Sequence, residues 1–334
     1  MHGTASKRLA RALALLLASS PAAIAPAATA APPPEIVAAA LVPPGDPPID
    51  LCATTGQLSL PGPATVPIWG FVLMGINPDC SDVAGTATVP GPVLNVAKGD
   101  TITLSVTNAL PAGHTVSLEV PGLTFASGPT EAAVGETVSR QFTASDPGTY
   151  LYQSAGDAER QTAMGLYGAL VVGSGTPGQA YDDAGAYDVQ APLVLSAIDP
   201  SFNAAPDTFD MRSYRAQYWL INGRAYPDTE PIHAAAGQRL LLRYVNAGFD
   251  NTTMMLVGME QRVIARDAHR VPFAFDADAE TIPAGETEDV VATVPATPPA
   301  LTHGFPLFNR QLHVSNGSPT DTTSPGGMLT FVTP

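Results

Sequence analysis

The sequence predicts an all-β protein with two Greek-key β-sandwich or barrel domains in tandem. Short runs rich in β-branched and aromatic residues are separated by turn residues, among them 34 prolines and 30 glycines, and this pattern is typical of sandwiches. The strand pattern restarts after the turn-rich stretch 173–183. Residues 96–108 and 234–246 also match, because each has a glycine turn and then a strand ending in asparagine. A duplicated sandwich explains the match, although common turn chemistry also produces short matches.

The apolar and alternating runs predict the strands. In the first domain they lie at residues 66–74, 93–96, 101–107, 116–120, 137–142, 149–153 and 166–172. In the second domain they lie at residues 193–198, 218–221, 239–245, 254–257, 263–265, 288–294, 305–313 and 328–332. Each set is large enough to complete one sandwich.

The first 30 residues predict a signal peptide. Lys7, Arg8 and Arg11 form a basic start, an apolar stretch follows at residues 9–18, and residues 28–30 are the small-residue cleavage site, with cleavage near Ala30. The apolar stretch is too short to cross a bilayer, and no later run of about 18 apolar residues exists. We therefore expect a periplasmic or secreted protein without a membrane span.

The domain boundaries are predicted from composition. Residues 31–50 are crowded with proline and alanine, which favours an extended linker. The first domain is then expected at 51–175 and the second at 176–334. Residues 173–178 spell a dinucleotide-binding fingerprint, but no helix pattern follows it, so this stretch is interpreted as the interdomain loop.

The charge of the chain excludes nucleic acid as a partner. The whole chain has a net charge of −15. Removal of residues 1–30 leaves 12 basic and 30 acidic residues, a net charge of −18. Such an acidic surface repels phosphate backbones.

The two cysteines, Cys52 and Cys80, predict a disulfide. They lie 28 residues apart, and a lone pair in an oxidising compartment is usually bonded. The alternative is a metal pair, which needs further histidine or cysteine ligands nearby. None lies between residues 3 and 113.

Six motifs resemble those of multicopper oxidases, which are built of cupredoxin domains. They are residues 90–111, 147–152 and 164–172 in the first half and 220–227, 262–267 and 326–328 in the second. The resemblance covers roughly residues 54–334. It implies two cupredoxin-like domains, a mononuclear blue copper that takes electrons from a reductant, and a trinuclear copper cluster that passes them to dioxygen.

The resemblance also implies a ligand set, most of which is missing here. The family uses four His-x-His pairs for the cluster, and the blue site needs two histidines, a cysteine and usually an axial methionine. The pairs fall on His114 and Val116, Gln153 and Ala155, Met255 and Val257, and Asn309 and Gln311, with Arg310 at the cysteine position, Thr252 and Ser315 at the blue-site histidines, and Met328 at the axial position.

A count of residues supports the loss of the copper ligands without any alignment. After residue 30 the chain has five histidines, at positions 114, 233, 269, 303 and 313, and both cysteines precede the first copper motif. Eight imidazoles cannot be assembled from five. A second identical chain brings the same deficit, so only a different partner chain could complete the set.

Four residues remain as weak metal candidates: His114, Met255, Met259 and Met328. A thioether site for Cu(I) is one interpretation of the methionines, and core packing is the other. His313 is expected in a strand, and Arg310 is expected to be buried with an acidic or carbonyl partner. We expect His114, Gln153, Met255 and Gln311 to converge where the barrels meet.

These observations predict an exported, multicopper-oxidase-like binding or scaffold protein of the cell envelope. The sequence assigns it no catalytic residue, no cofactor-binding residue and no cofactor, and it allows an oligomer. The expected partner is another envelope or secreted protein. The alternative is a copper-binding oxidoreductase with an incomplete or partner-completed copper site.

Overall fold

The computed structural model describes residues 48–126, 130–296, 303–317 and 324–333. The predicted signal peptide and residues 31–47 of the predicted linker lie outside these ranges. Within them the regular secondary structure is mostly β-strand, which confirms the predicted fold class. No helix in the described part of the chain is long and apolar enough to cross a membrane.

The first barrel is made of nine strands and one helix. They are β1 Ile49–Ser59, β2 Thr65–Leu73, β3 Leu94–Ala97, β4 Thr101–Asn108, β5 Val116–Ser117, β6 Glu131–Ala132, β7 Thr137–Thr143, β8 Gly148–Gln153, α1 Ala158–Met164 and β9 Tyr167–Gly173. One sheet has the order β2-β1-β4-β7 and faces a sheet with the order β3-β9-β8, while β5 and β6 form a short pair. Their inner side chains form a continuous apolar core.

The second barrel follows a short hairpin formed by β10 Gln179–Tyr181 and β11 Ala184–Ala186. Its elements are β12 Val189–Ile198, α2 Pro200–Ala204, β13 Tyr218–Ile221, β14 Ile232–His233, β15 Arg239–Asn246, β16 Thr252–Leu256, β17 Gln261–Arg266, β18 His269–Ala277, β19 Ala279–Ile282, β20 Thr287–Thr293, β21 Phe305–Asn309 and β22 Leu329–Thr333. Short 3₁₀ turns lie at Ser81–Val83 and Met211–Ser213. A six-stranded sheet, β13-β12-β15-β20-β17-β18, faces a five-stranded sheet, β14-β22-β21-β16-β19.

The repeated segments occupy equivalent places in the two barrels, as β4 and β15. The asparagine that ends each strand is fully buried and bonds in the same way. The Asn108 amide donates to the carbonyls of His114 and Ala132, and the Asn246 amide donates to those of Asp250 and Ile282. The matching residues therefore perform the same local task, which is to fix the loop that leaves the strand.

Several predicted boundaries differ from those of the structure. The linker was expected to reach residue 50, but β1 begins at Ile49, because Ile49–Ala53 pairs in parallel with β4. The strand expected at 116–120 ends at Ser117. The strand expected at 305–313 ends at Asn309, where the chain turns and Leu312 adopts a positive φ of 68°. The division between domains at residues 175 and 176 stays a prediction.

The predicted disulfide is confirmed. Cys52 and Cys80 are bonded, with an S–S distance of 1.97 Å, and both are fully buried. The bond ties β1 to the loop after β2.

A buried polar network joins the two barrels. The Asp289 carboxylate accepts hydrogen bonds from Thr149 of β8 at 2.6 Å and from Tyr181 of β10 at 2.6 Å, and it pairs with the Arg243 guanidinium of β15 at 3.1 Å. The side chains of Arg243 and Asp289 are each 1% exposed. The Arg243 guanidinium also donates to Thr149 and to Gln190, so both charges are satisfied without water.

An apolar cluster continues the contact between the barrels. Leu151 and Tyr167 of the first barrel pack with Val194, Leu220 and Val245 of the second. The polar network therefore lies in an otherwise apolar interface between the two barrels, which we call the seam.

We expect the Asp289→Ala variant to lose about 3–5 kcal/mol of unfolding free energy, because it leaves the Arg243 charge buried and unpaired. Urea denaturation measures the loss. The matched control is Arg212→Ala, which breaks the exposed pair with Asp210 and is expected to leave the stability nearly unchanged. Equal losses in the two variants would contradict the assigned role of the network.

Candidate functional site

His114, the histidine at the first His-x-His position, contacts other side chains of the same chain. His114 lies just before β5, and its Nε2 is 3.1 Å from a carboxylate oxygen of Asp207. Its ring packs on Trp69 with 4.5 Å between the ring centroids. Val116, two residues later, is fully buried in the core. The imidazole therefore has no neighbouring imidazole at the position where the family would place one.

Gln153, at the second His-x-His position, is also hydrogen-bonded within the chain. Gln153, at the end of β8, donates from its amide to Glu119 at 2.7 Å. Between Gln153 and Ala155, the buried hydroxyl of Ser154 donates to Gln161 of α1 at 2.5 Å, and the Gln161 amide donates to the Thr115 carbonyl at 2.6 Å. This chain of bonds ties the loop before β5 to helix α1.

A segment of the second barrel covers this region. Residues 199–214, inserted between β12 and β13, pack on the first barrel, where Phe202 is fully buried in the first core. Asn203 donates to the Pro67 carbonyl at 2.9 Å. The Asp199 carboxylate closes the insertion, because it accepts from the N–H groups of Ser201 and Arg215 at its two ends.

Sequence reasoning missed this insertion, although its start has a readable signal. Asp199 is a helix N-cap followed by proline at the first helical position, Pro200, which is a typical start. Nothing in the local pattern indicates that Phe202 packs on the other domain.

In the second barrel, Asn309 and Met328 lie together. Asn309 is fully buried at the end of β21, and its amide donates to the Met328 sulfur at 3.7 Å. The Asn309 side-chain oxygen accepts from the Gln311 N–H at 2.8 Å. Met328 is 2% exposed and belongs to the second core.

The structure corrects the expectation for Arg310. Its side chain was expected to be buried with a partner, but Arg310 is exposed. The reason is strand alternation: Phe305, Leu307 and Asn309 face inward along β21, so the next side chain faces solvent. Asn309, and not Arg310, is therefore the side chain that lies beside Met328.

His313 was expected in a strand, but it lies in the loop after β21. Its ring stacks on Trp219 with 4.3 Å between centroids and 11° between planes. Burial lowers the pKa of His313, which favours the neutral imidazole. Its carbonyl accepts from the Met328 N–H at 2.9 Å.

The methionines near the third His-x-His position differ in burial. Met254 and Met259 are buried in the second core, whereas Met255 is partly exposed. Met255 lies on β16 opposite Phe308 of β21, and the side chain of Gln311 accepts from the Thr253 N–H at 3.1 Å. Met255 and Gln311 thus lie near the same end of one sheet.

The predicted convergence of four side chains is not found among the described contacts. The contacts of His114 and Gln153 stay with the first barrel and the insertion. The contacts of Met255 and Gln311 stay within the second barrel. Among the described residues, no group of three or more His, Cys, Asp or Glu side chains is arranged to hold a metal ion.

A cleft of about 630 Å³ lies between the insertion and the second barrel. Thr252 and Met328 line it together with Trp219, Tyr214 and Phe249. Two residues at family copper positions therefore border solvent-accessible space, but Thr252 contributes a hydroxyl and not an imidazole.

Glu288 is the carboxyl group with the most unusual environment near the seam. Burial raises its pKa to about 7, although the Arg266 guanidinium, which donates to it at 2.8 Å, acts in the opposite direction. Arg266 also binds Glu280 at 2.7 Å. The second oxygen of Glu288 is buried and has no hydrogen-bond partner among the described residues.

Comparisons with known proteins agree with the motifs and the fold. A family model described as a multicopper oxidase matches residues 76–176. A multicopper oxidase of Mycobacterium tuberculosis is 26% identical over 272 residues, which are 70% of this chain and 50% of the relative. The chain is therefore multicopper-oxidase-like. An L-ascorbate oxidase of Brassica rapa is 35% identical over 107 residues, 28% of this chain and 18% of the relative.

Solved structures share the fold of this chain. A blue copper oxidase from Nitrosomonas europaea superposes with a TM-score of 0.70 at 21% identity and covers 85% of each chain. A copper nitrite reductase from the same organism superposes with a TM-score of 0.66 at 18% identity, covering 86% of this chain and 94% of its own. The aligned part of this chain spans half or less of the curated relatives described above.

Copper is the metal that similarity to multicopper oxidases implies, and the residues present do not fit it. A blue site needs a thiolate and two imidazoles around one point. Here Asn309 presents an amide N–H to the Met328 sulfur, and Thr252 presents a hydroxyl. An N–H group that donates to the thioether occupies the sulfur lone pair that would bind the metal.

We expect Glu288 to make the stability depend on pH. Its folded pKa of about 7 lies above the ordinary value of 4.5 for a glutamate, so the folded state keeps a proton that the unfolded state has lost between these values. The unfolding free energy therefore falls as pH rises from about 4.5 to 7, and this contribution is complete only below about pH 4.5.

The Glu288→Gln variant removes this contribution, so its stability curve should be flatter than that of the parent by up to about 1.4 kcal/mol per pH unit. Urea denaturation at several pH values measures the slope. Glu260→Gln, at an exposed position, is the control and should keep the parent slope. Parallel curves for Glu288→Gln and the parent would contradict the assignment.

Proposed function

We propose that this protein is a non-catalytic binding or scaffold protein of the multicopper oxidase fold. It is exported to the periplasm or the cell exterior, and its partner is another envelope or secreted protein. The observation that carries the proposal is the contact between Asn309 and Met328, because an amide stands beside the axial methionine in place of a thiolate. Without a thiolate, the electron-transfer site of the family has no strong copper ligand.

The first barrel supports the same proposal. Its one surviving imidazole, His114, is paired with Asp207, and the Gln153 amide is paired with Glu119. Binding of copper there would break these pairs and leave a carboxylate and an amide without partners. The side chains at ligand positions thus serve the packing of the barrel.

Copper handling at an incomplete site is the competing proposal. Similarity to multicopper oxidases favours it, and the backbone hydrogen bond between His313 and Met328 keeps one imidazole and one thioether in adjacent segments. Two such donors are fewer than the four that a blue site uses. A different chain would have to bring the rest.

We expect the purified full chain, incubated with excess copper and desalted, to keep well below one copper per chain. We also expect no absorbance from a copper–thiolate bond and no oxygen consumption with phenols or reduced metal ions. Elemental analysis, visible spectroscopy and an oxygen electrode measure these quantities. Stoichiometric copper together with oxygen consumption would contradict the proposal.

A matched pair of variants keeps this experiment informative. Thr252→His with Asn309→Cys places an imidazole and a thiol beside Met328 and is expected to gain copper–thiolate absorbance. Thr252→His with Arg310→Cys places the thiol on the exposed face of β21 and is expected to gain none. The reverse result would show that Arg310 occupies the cysteine position.

A further inference from the structure

The cleft between the insertion and the second barrel has an aromatic wall. Tyr214 of the insertion and Phe249 of the loop after β15 both line it. Their rings meet at nearly a right angle, with 5.4 Å between centroids and 81° between planes. Phe249 is 44% exposed, although phenylalanine is usually buried. The two rings therefore form a corner on the wall of the cleft, and we call it the aromatic corner.

Unpaired acidic groups lie beside the aromatic corner. Asp250 follows Phe249 in the chain, Glu159 lies in α1, and both line the cleft. Among the described residues, neither carboxylate has an ion-pair or hydrogen-bond partner. Burial raises the pKa of Tyr214, and nearby charges, those of Asp199 and Asp250 among them, raise it further. Negative charge therefore acts on this ring, and a cation placed beside it would be attracted by both the carboxylates and the ring faces.

The same cleft is lined by an arginine without an acidic partner. The Arg215 guanidinium donates from Nη1 to the backbone carbonyls of Arg212 and Tyr214 at 3.2 and 2.6 Å. It pairs with no carboxylate in the part of the chain that the structure describes. Arg212, by contrast, is neutralised by Asp210. Arg215 and Asp250 thus line one cleft with opposite charges that do not pair with each other.

Trp219 adds an unsatisfied donor to this cleft. Its side chain lines the cleft and is 9% exposed, and its indole is stacked on the ring of His313. The indole N–H is buried and has no acceptor among the described residues. A buried donor without an acceptor is costly, and the N–H of a buried tryptophan usually finds one. A ligand with a carboxylate would supply the acceptor.

We propose that this cleft binds a small zwitterion of the betaine class, which carries a trimethylated ammonium and a carboxylate. The ammonium packs in the aromatic corner of Tyr214 and Phe249, beside Asp250. The carboxylate accepts from Arg215 and from the indole N–H of Trp219. A trimethylated ammonium has no N–H, so it needs no acceptor, and ring faces attract it within about 6 Å of the centroid. Guanidinium and indole N–H groups are both donors to a carboxylate.

The charges of the chain favour a zwitterion over a simple ion. The net charge of −15 repels a small anion, whereas a zwitterion has no net charge. A simple cation would fill the aromatic corner but leave Arg215 and the Trp219 N–H without an acceptor. A zwitterion satisfies both sets of groups.

Isothermal titration calorimetry of the full chain with glycine betaine and with its longer homologue γ-butyrobetaine tests the proposal. At least one should bind saturably at a single site. Choline lacks the carboxylate, and tert-butylacetate has the shape of glycine betaine without the positive charge. Each should bind at least about tenfold more weakly than the better betaine, because each loses one charged contact. Absence of saturable binding by both betaines, or equal affinity for the comparison ligands, would overturn the proposal.

Single substitutions on the exposed side chains of the cleft assign the two ends of the ligand. Asp250→Asn should weaken the better betaine by about tenfold and leave tert-butylacetate unaffected, because the uncharged ligand end gains nothing from the carboxylate. Arg215→Gln should weaken the betaine by a similar factor and leave choline unaffected. Parent-like affinity for the betaine in both variants would contradict the assigned contacts.

The aromatic corner is tested in the same way. Phe249→Ala should weaken the betaine by about fivefold or more, since it removes one ring face from the ammonium. Phe273→Ala is the matched control, because Phe273 is 87% exposed on β18 and outside the cleft, and it should bind as the parent does. Circular dichroism confirms that each variant is folded. Equal affinities of the Phe249→Ala and Phe273→Ala variants would refute the role of the corner.

Discussion

The structure depends on keeping two opposite charges satisfied in the dry seam between its barrels. Arg243 and Asp289 are both inaccessible to solvent, and removing either charge from water is costly unless its partner and further hydrogen bonds replace the water. Thr149 supplies one of these bonds from the other barrel, and Tyr181 supplies another from the hairpin between the barrels. The polar network therefore fixes which strands meet, and the apolar cluster beside it adds burial.

Side chains at the positions where the family binds copper are likewise paired within the chain. Asn309 with Met328, Gln153 with Glu119 and His114 with Asp207 are each pairs that replace metal–ligand bonds by hydrogen bonds or an ion pair. The insertion at residues 199–214 adds a large apolar side chain, Phe202, to the first core. A cupredoxin fold in which ligand positions have internal partners needs no metal for its packing.

The sequence predicted the architecture well because strand alternation, turn residues and the repeated asparagine strand are local signals. The disulfide was predicted from the two cysteines alone. Arg310 was misplaced because it was aligned with the family's copper-binding cysteine, whereas alternation from Phe305 directs Asn309 inward and the next side chain outward. The insertion and the seam could not be predicted, since Phe202 and Arg243 find partners that are distant in sequence, and no local pattern encodes such contacts.

A native state without a preferred copper site should not be stabilised by copper. A ligand that binds the folded state more tightly than the unfolded state raises the melting temperature with its concentration. The most direct measurement is thermal unfolding of the full chain with and without Cu(I) and Cu(II), with Mg²⁺ as the control ion. Neither copper ion should raise the melting temperature above that of the Mg²⁺ control. A rise that grows with copper concentration and disappears on chelation would contradict it.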